Sequence, residues 1–220
     1  MKHLVIVGLS LLIGYSSNYL AVAKSPNQQF TITQTNPLRD TLVIPGERVG
    51  PITKNTSRQE LTKLFGASSL QDKTIFGPEG MGKFPATRVN LGQERSFTVV
   101  WADEKRTRPA TIRDFGSAWK TPQGIGIGTS LAELRKQLGE FKLYGLAWDY
   151  SGTILLENTK LSNYKGKLNL QVAPAPDAAK KFPRQYQAVM GDGTFTSSNP
   201  NWQPLGIRVQ QMTVYLNESI

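Results

Sequence analysis

The sequence matches itself at an offset of 73 residues, and that match constrains the fold more than any other feature. Thr56 to Gly66 lies over Thr129 to Gly139, and six of eleven positions coincide: Thr, Ser, Glu, Leu, Lys and a closing Gly. Ile52 falls over Ile125 in the same alignment. Each shared position has a mechanical reason. Ser57 with Glu60, and Ser130 with Glu133, have the spacing of a capping box, in which hydroxyl and carboxylate satisfy orphan amides at a helix start. Leu61, Leu64 and Phe65 form one apolar helical face; Leu131, Leu134 and Leu138 form the other. Gly66 and Gly139 suit the left-handed position that ends a helix. The spacing predicts two helices of about 9–10 residues.

Runs with strand character follow each helix, separated by Gly, Pro or charged turns. After the first they cover residues 73–76, 86–91, 96–102 and 110–115. After the second they cover 141–148, 153–157, 167–172 and 206–216. The last run alternates, with Ile207, Val209, Gln211, Thr213 and Tyr215 set against Arg208, Gln210, Met212 and Val214. Residues 174–204 read as an insertion with a short helix near 177–182 and then a Gly/Ser/Asn/Pro-rich loop. The expected fold class is α+β: two tandem modules, 41–121 and 122–220, each a short helix followed by a four-stranded antiparallel sheet. Residues 24–40 read as a polar, flexible leader with a candidate strand at 30–33.

The first 23 residues have the pattern of an export signal. Lys2 and His3 are basic, residues 4–13 are apolar, and Ala21-Val22-Ala23 offers small residues where a signal peptidase reads, predicting cleavage after Ala23. A membrane anchor is the other reading, but a span needs about 20 apolar residues, and Tyr15 to Tyr19 interrupts the run. Composition then becomes informative. The chain has no Cys, and its single His is His3. A mature chain would lack both imidazole and thiol, which excludes Ser-His-Asp and Cys-His triads and Cys/His zinc sites. Disulfides are impossible, which suits a bacterial periplasm better than a small stapled secreted domain. Cleavage takes one of 26 basic residues and none of the 16 acidic ones, so the net charge falls from +10 to +9.

The pattern Gly-x-Gly-Thr-Ser-x-x-Glu-Leu-x-x-x-Leu-Gly, from Gly126 through Gly128 to Gly139, resembles the helix-then-sheet modules of the SmpA/OmlA (BamE-like) group. Tandem copies resemble the β-lactamase inhibitor protein fold. The stretch from Trp119 to Ser130, followed by Gly145 to Gly152, is similar to uncharacterised exported bacterial proteins. The chain departs from both families in lacking a lipidated Cys and disulfides. The resemblance implies a module that binds proteins through an exposed sheet face, and it carries over no site residue.

Trp148-Asp149-Tyr150-Ser151-Gly152 is the most unusual segment. In a continuous strand Tyr144, Trp148 and Tyr150 share one face and Asp149 points away. That stripe is either a rigid contact surface of the kind binding sites use or part of the core, with Asp149 capping a turn. Trp101, in register with Phe97 and Val99, reads as core. Lys105, Arg106 and Arg108 form a basic hairpin tip that could meet an anionic polymer or stand as a solvated turn. Gly124-Ile125-Gly126-Ile127-Gly128 precedes a helix but lacks the P-loop Lys-Ser/Thr; it reads as a short strand with glycines at a close backbone approach.

The charge is scattered, with no basic helix and no aromatic-interleaved motif, so nucleic acid is not the expected partner. No metal or cofactor is expected, and no recognisable catalytic constellation appears. The expected function is an exported, non-catalytic envelope protein that binds a protein or an anionic polymer through a sheet face and adjoining loops. The alternatives are a structural or stress-related envelope component without a discrete ligand, and a glycan hydrolase working through two carboxylates.

Overall fold

The computed structural model describes residues 39–77 and 82–217. His3, the cleavage site at Ala23 and the candidate strand at 30–33 lie outside the described residues. Strands β1 (Val43–Ile44), β2 (Arg48–Val49) and β3 (Ile52–Thr53) form a small antiparallel sheet.

Both capped helices are present, as α1 (Arg58–Phe65) and α2 (Leu131–Leu138), each eight residues long. Both capping boxes close: Glu60 accepts from Ser57 N–H at 2.6 Å, and Glu133 accepts from Ser130 N–H at 2.8 Å. The approach to each helix is also matched at the same offset. Thr53 N–H donates to Thr56 Oγ1 at 3.0 Å, and Gly126 N–H donates to Thr129 Oγ1 at 3.0 Å. The helices end slightly differently from expectation. Gly66 and Gly139 have φ of 81° and 86°, but their ψ values of 146° and −155° are extended rather than left-handed helical. That region is open essentially to glycine alone.

The expected pair of helix-plus-four-strand modules does not form. The described residues are mostly β, with twelve strands in three sheets. The first helix is followed by β4 (Leu70–Phe76), β5 (Lys83–Val89), β6 (Phe97–Trp101) and β7 (Pro109–Arg113), close to their predicted positions. The strands after α2 divide between two sheets. β8 (Lys142–Tyr144) and β9 (Ile154–Leu155) pair with each other, while β10 (Leu168–Ala173) and β12 (Arg208–Tyr215) join the first four strands. The result is a six-stranded antiparallel sheet in the order β10-β12-β7-β6-β5-β4. The physical reason is edge pairing: β7 would otherwise leave a row of backbone groups open, and β12 satisfies it with Ile112 opposite Val214.

The 174–204 insertion contributes structure as well. It holds α3 (Ala178–Lys181), α4 (Pro183–Gln187), β11 (Thr194–Thr196) and a 3-10 turn at Pro200–Leu205. β11 pairs with the free side of β8, setting Phe195 opposite Leu143. The last strand does not alternate uniformly. Val209 is buried, then Gln210 and Gln211 are both exposed, then Met212 and Val214 are buried. A bulge opposite Gln171/Val172 inserts the extra residue and shifts the buried parity.

One apolar cluster runs through strands from both halves. Its aromatic centre joins Phe65 of α1 to Phe97 of β6 at 5.8 Å, edge-on, and Phe97 to Trp119 at 5.0 Å and 82°. Such pairs add about 0.5–1.5 kcal/mol each beyond area burial. Trp101 is buried in the same cluster, in line with its register. The Gly124–Gly128 segment is a run of turns rather than a strand, but its close approach is real: a Cβ on Gly126 would lie 2.1 Å from the Trp119 carbonyl.

Candidate functional site: an open sheet face

The six-stranded sheet has one face against α1 and the core. Phe97, Val99, Ile112, Leu170, Met212 and Val214 point there and are buried. Strand geometry sends their neighbours to the other face. Register follows these neighbours across the sheet: Ile75 opposite Phe84, Ala86 opposite Val100, Val100 opposite Thr111 and Thr111 opposite Tyr215. One row along, Arg88 stands opposite Thr98 and Thr98 opposite Arg113.

The face continues beyond β10. An isolated antiparallel bridge sets Thr153 opposite Gln171, Leu155 lies two residues further on, and Leu155 stands opposite Lys142. Tyr144 is two residues along β8, so it shares the face. Tyr144 meets Tyr150 with ring centroids 5.2 Å apart and planes at 32°.

Two shallow depressions lie on this surface. One, of about 420 Å³, is lined by Ile75, Phe76, Phe84, Val100, Thr111 and Arg113. The other, of about 350 Å³, is lined by Leu155, Asn169 and Tyr215 together with the Glu157–Lys165 pair. Tyr215 is 39% exposed, and Phe76, of opposite parity to Ile75, is 62% exposed at the strand end; in mid-sheet the small residues Ala86 and Thr98, with Val100, are buried beneath their longer neighbours. The described strand positions on this face include Lys73, Arg88, Arg113 and Lys142 and no Asp or Glu. Arg88 is braced by the Asp114 carbonyl at 2.8 Å and Arg113 by the Asp114 carboxylate at 3.2 Å. At the rim Glu157 is paired with Lys165 at 2.9 Å, a hydrogen bond that holds its carboxyl below the usual range.

The sequence-derived aromatic stripe is on the surface, but not for the reason of strand alternation. β8 ends at Tyr144. Leu146 turns away to donate to the Val189 carbonyl at 2.8 Å, and Ala147 takes a φ of 72°. Residues 145–152 are therefore a turn, with Trp148 58% and Tyr150 62% exposed. Asp149 is exposed, and the turn is capped by Ser151 instead, whose Oγ accepts from Ala147 N–H at 3.0 Å. Gln171 Nε2 donates to the Ser151 carbonyl, tying the turn to the open face.

The basic hairpin tip lies elsewhere. Arg106 has a φ of 56° and stands 3.1 Å from Asp72, on the helix-covered face. Its carbonyl receives the Arg58 N–H at 2.9 Å, so it helps seat α1. Lys105 and Arg108 are exposed beside it. The structure does not bring these three residues to the aromatic pair. Sequence reading missed Lys73, Arg88, Arg113, Ile75, Phe84 and Tyr215 as members of one surface. Their signal was the outward half of each alternating strand, which becomes a surface only once register is known.

Among the described residues no group of three Asp, Glu or His side chains could hold a metal ion. No helix among them is long and apolar enough to cross a membrane. No family model matches the chain, and no curated protein matches it. Among solved structures it is similar to the crystal structure of the uncharacterised protein YfeY from Escherichia coli, at 13% identity and a TM-score of 0.46. That likeness covers 77% of this chain and 97% of that one.

Proposed function

We propose that this chain is an exported, non-catalytic binding protein whose open sheet face holds the acidic surface of a protein partner. The observation that carries the reading is the make-up of that face: basic and aromatic strand positions with no carboxylate. Tyr and Arg are enriched among the residues that carry binding energy at interfaces. A face whose strand positions carry basic charge in excess of the carboxylates at its edges steers an oppositely charged partner. Export is supported by the signal-like residues 1–23.

The test is site-specific photo-cross-linking in the producing cell, with benzophenone side chains at Tyr150, Tyr215 and, as a control on α1, Lys63. The reading expects one acidic protein captured at Tyr150 and Tyr215, absent at Lys63, and lost in the Arg88→Glu/Arg113→Glu variant. Absence of any adduct from the face, or the same adducts from all three positions, overturns it.

A further inference from the structure

A second concavity, of about 540 Å³, lies between the first turn of α2, the 197–206 segment and the start of β12. Its size falls within the range of about 300–1,000 Å³ typical of small-ligand sites. Its lining differs from that of the open face. Arg135 enters from α2 and Arg208 from β12, with Ser198, Asn199 and Gln203 around them and Leu131, Trp202 and Ile207 as an apolar floor. No carboxylate lines it.

Two carboxylates lie nearby, and each is held by the fold while also facing one of the two arginines. Glu133 is taken by the Ser130 N–H and Oγ at 2.8 and 2.7 Å. Glu140 Oε1 accepts from Ser197 Oγ at 3.2 Å and Ser198 N–H at 3.1 Å. Arg135 forms a long, solvent-exposed ion pair with the other Glu140 oxygen, Oε2, at 3.6 Å, which is too far for a hydrogen bond. Arg208 gives one Nη1–H to the Gly128 carbonyl at 2.9 Å and keeps the rest of its fork. Asn199 Oδ1 accepts from Asn201 N–H at 3.0 Å and from Asn201 Nδ2–H at 3.1 Å, and among the described residues its own side-chain amide donates to no protein acceptor. Among the described residues no hydrogen bond engages the Gln203 side chain.

A cleft with two arginines, side-chain amides at Asn199 and Gln203, no carboxylate in its lining and an apolar floor calls for a ligand rich in acceptors, with one negative charge that can exchange for the weak Arg135–Glu140 pair, and a C–H face. We infer that this cleft binds a carboxylated saccharide, a uronate unit whose carboxylate meets the Arg135 and Arg208 guanidiniums while its hydroxyls meet Ser198, Asn199 and Gln203. Guanidinium–carboxylate pairs supply both orientation and strength. The site is independent of the open face and does not rest on the function proposed for it.

The test is an amide NMR titration of the folded chain with digalacturonate, a neutral disaccharide (cellobiose) and inorganic phosphate as separate arms. The expected result is saturable shifts of Ser198, Asn199, Gln203 and Arg208 with digalacturonate, and none with cellobiose. Arg135→Gln and Arg208→Gln should each weaken binding about tenfold, the scale of one charge-assisted pair, while Lys136→Gln leaves it unchanged. Three results overturn the inference: no shift with digalacturonate, equal shifts with cellobiose, or phosphate matching digalacturonate, which would make the cleft a bare anion site.

Discussion

Trp101 donates its indole N–H to the hydroxyl of Thr87 at 2.9 Å, with both side chains fully buried. Thr87 in turn donates to Asp72 at 2.6 Å, and Asp72 is the ion-pair partner of Arg58 on α1. A buried indole is thereby linked, through one hydroxyl, to the charge that seats the helix. Thr87→Val conserves volume but leaves the indole N–H without its acceptor. Leaving a buried donor unpaired costs about 1–3 kcal/mol. At about 2–4 °C per kcal/mol for a chain of this size, the thermal midpoint should fall by roughly 2–12 °C. Thr98→Val should cost less, since the contact from Arg88 to Thr98 is a long 3.4 Å. Thermal unfolding followed by circular dichroism checks both; equal shifts would contradict the linkage.

The same Asp72 makes stability depend on acid. Burial raises its carboxyl, but hydrogen bonds from Arg58 and Thr87 and the charges of Arg58 and Arg106 outweigh burial and hold it below its ordinary value of 3.8. A carboxyl lowered in the folded state contributes fully above its unfolded pKa and loses that contribution as pH falls through the folded one. The wild-type midpoint should therefore drop as pH falls below about 4. Asp72→Asn should start less stable at pH 7 and show a shallower decline, with the remaining slope owed to other lowered carboxyls such as Glu140. Midpoints measured from pH 7 to pH 3 decide this, and parallel curves for the two proteins would exclude the role given to Asp72.

What the sequence disclosed and what it withheld follow from interaction range. The capped helices are local: Ser57 and Glu60 sit one turn apart, and no distant residue is needed to read them. The existence of most strands was also legible from alternation. Pairing was not. Nothing in residues 208–215 says that Val214 will face Ile112 rather than a strand of its own half, and loop closure over so long a span leaves no local trace. β11 escaped notice because Thr194-Phe195-Thr196 is three residues inside a polar loop. The aromatic cluster was visible as residue types, yet its exposure depended on Leu146 leaving β8 for Val189, a contact 43 residues away in sequence. The open face was least legible, because Lys73, Arg88 and Arg113 become neighbours only through register.

The two capping boxes give a prediction about additivity. Ser57→Ala and Ser130→Ala each remove a cap from an eight-residue helix, which costs about 0.5–2 kcal/mol. The two caps share no hydrogen-bond partner: Ser57 works with Glu60 and Ser130 with Glu133. The double variant should therefore lose the sum of the two within about 0.5 kcal/mol. Chemical denaturation in urea measures all three values. A coupling larger than about 1 kcal/mol would mean that the helices report on one another through the shared core.

Gly152 provides the sharpest test of how the aromatic turn is held. Its φ is 67°, and a Cβ there would lie 2.0 Å from the Val172 carbonyl. The same glycine donates to the Gly145 carbonyl at 3.1 Å and accepts from Val172 N–H at 2.9 Å, so neither side can retreat without breaking a hydrogen bond. Gly128 is the matched control, with a φ of 86° and open space where a Cβ would stand. Gly128→Ala should cost only the left-handed backbone, about 1–2 kcal/mol. Gly152→Ala should cost that and the clash as well, so its midpoint should fall at least twice as far. Because the turn carries Tyr150, the clash should also part it from Tyr144, lowering the tyrosine signal in near-ultraviolet circular dichroism at temperatures where the chain is still folded. Equal midpoints for the two variants, with an unchanged tyrosine band, would show that the turn is not pinned at Val172.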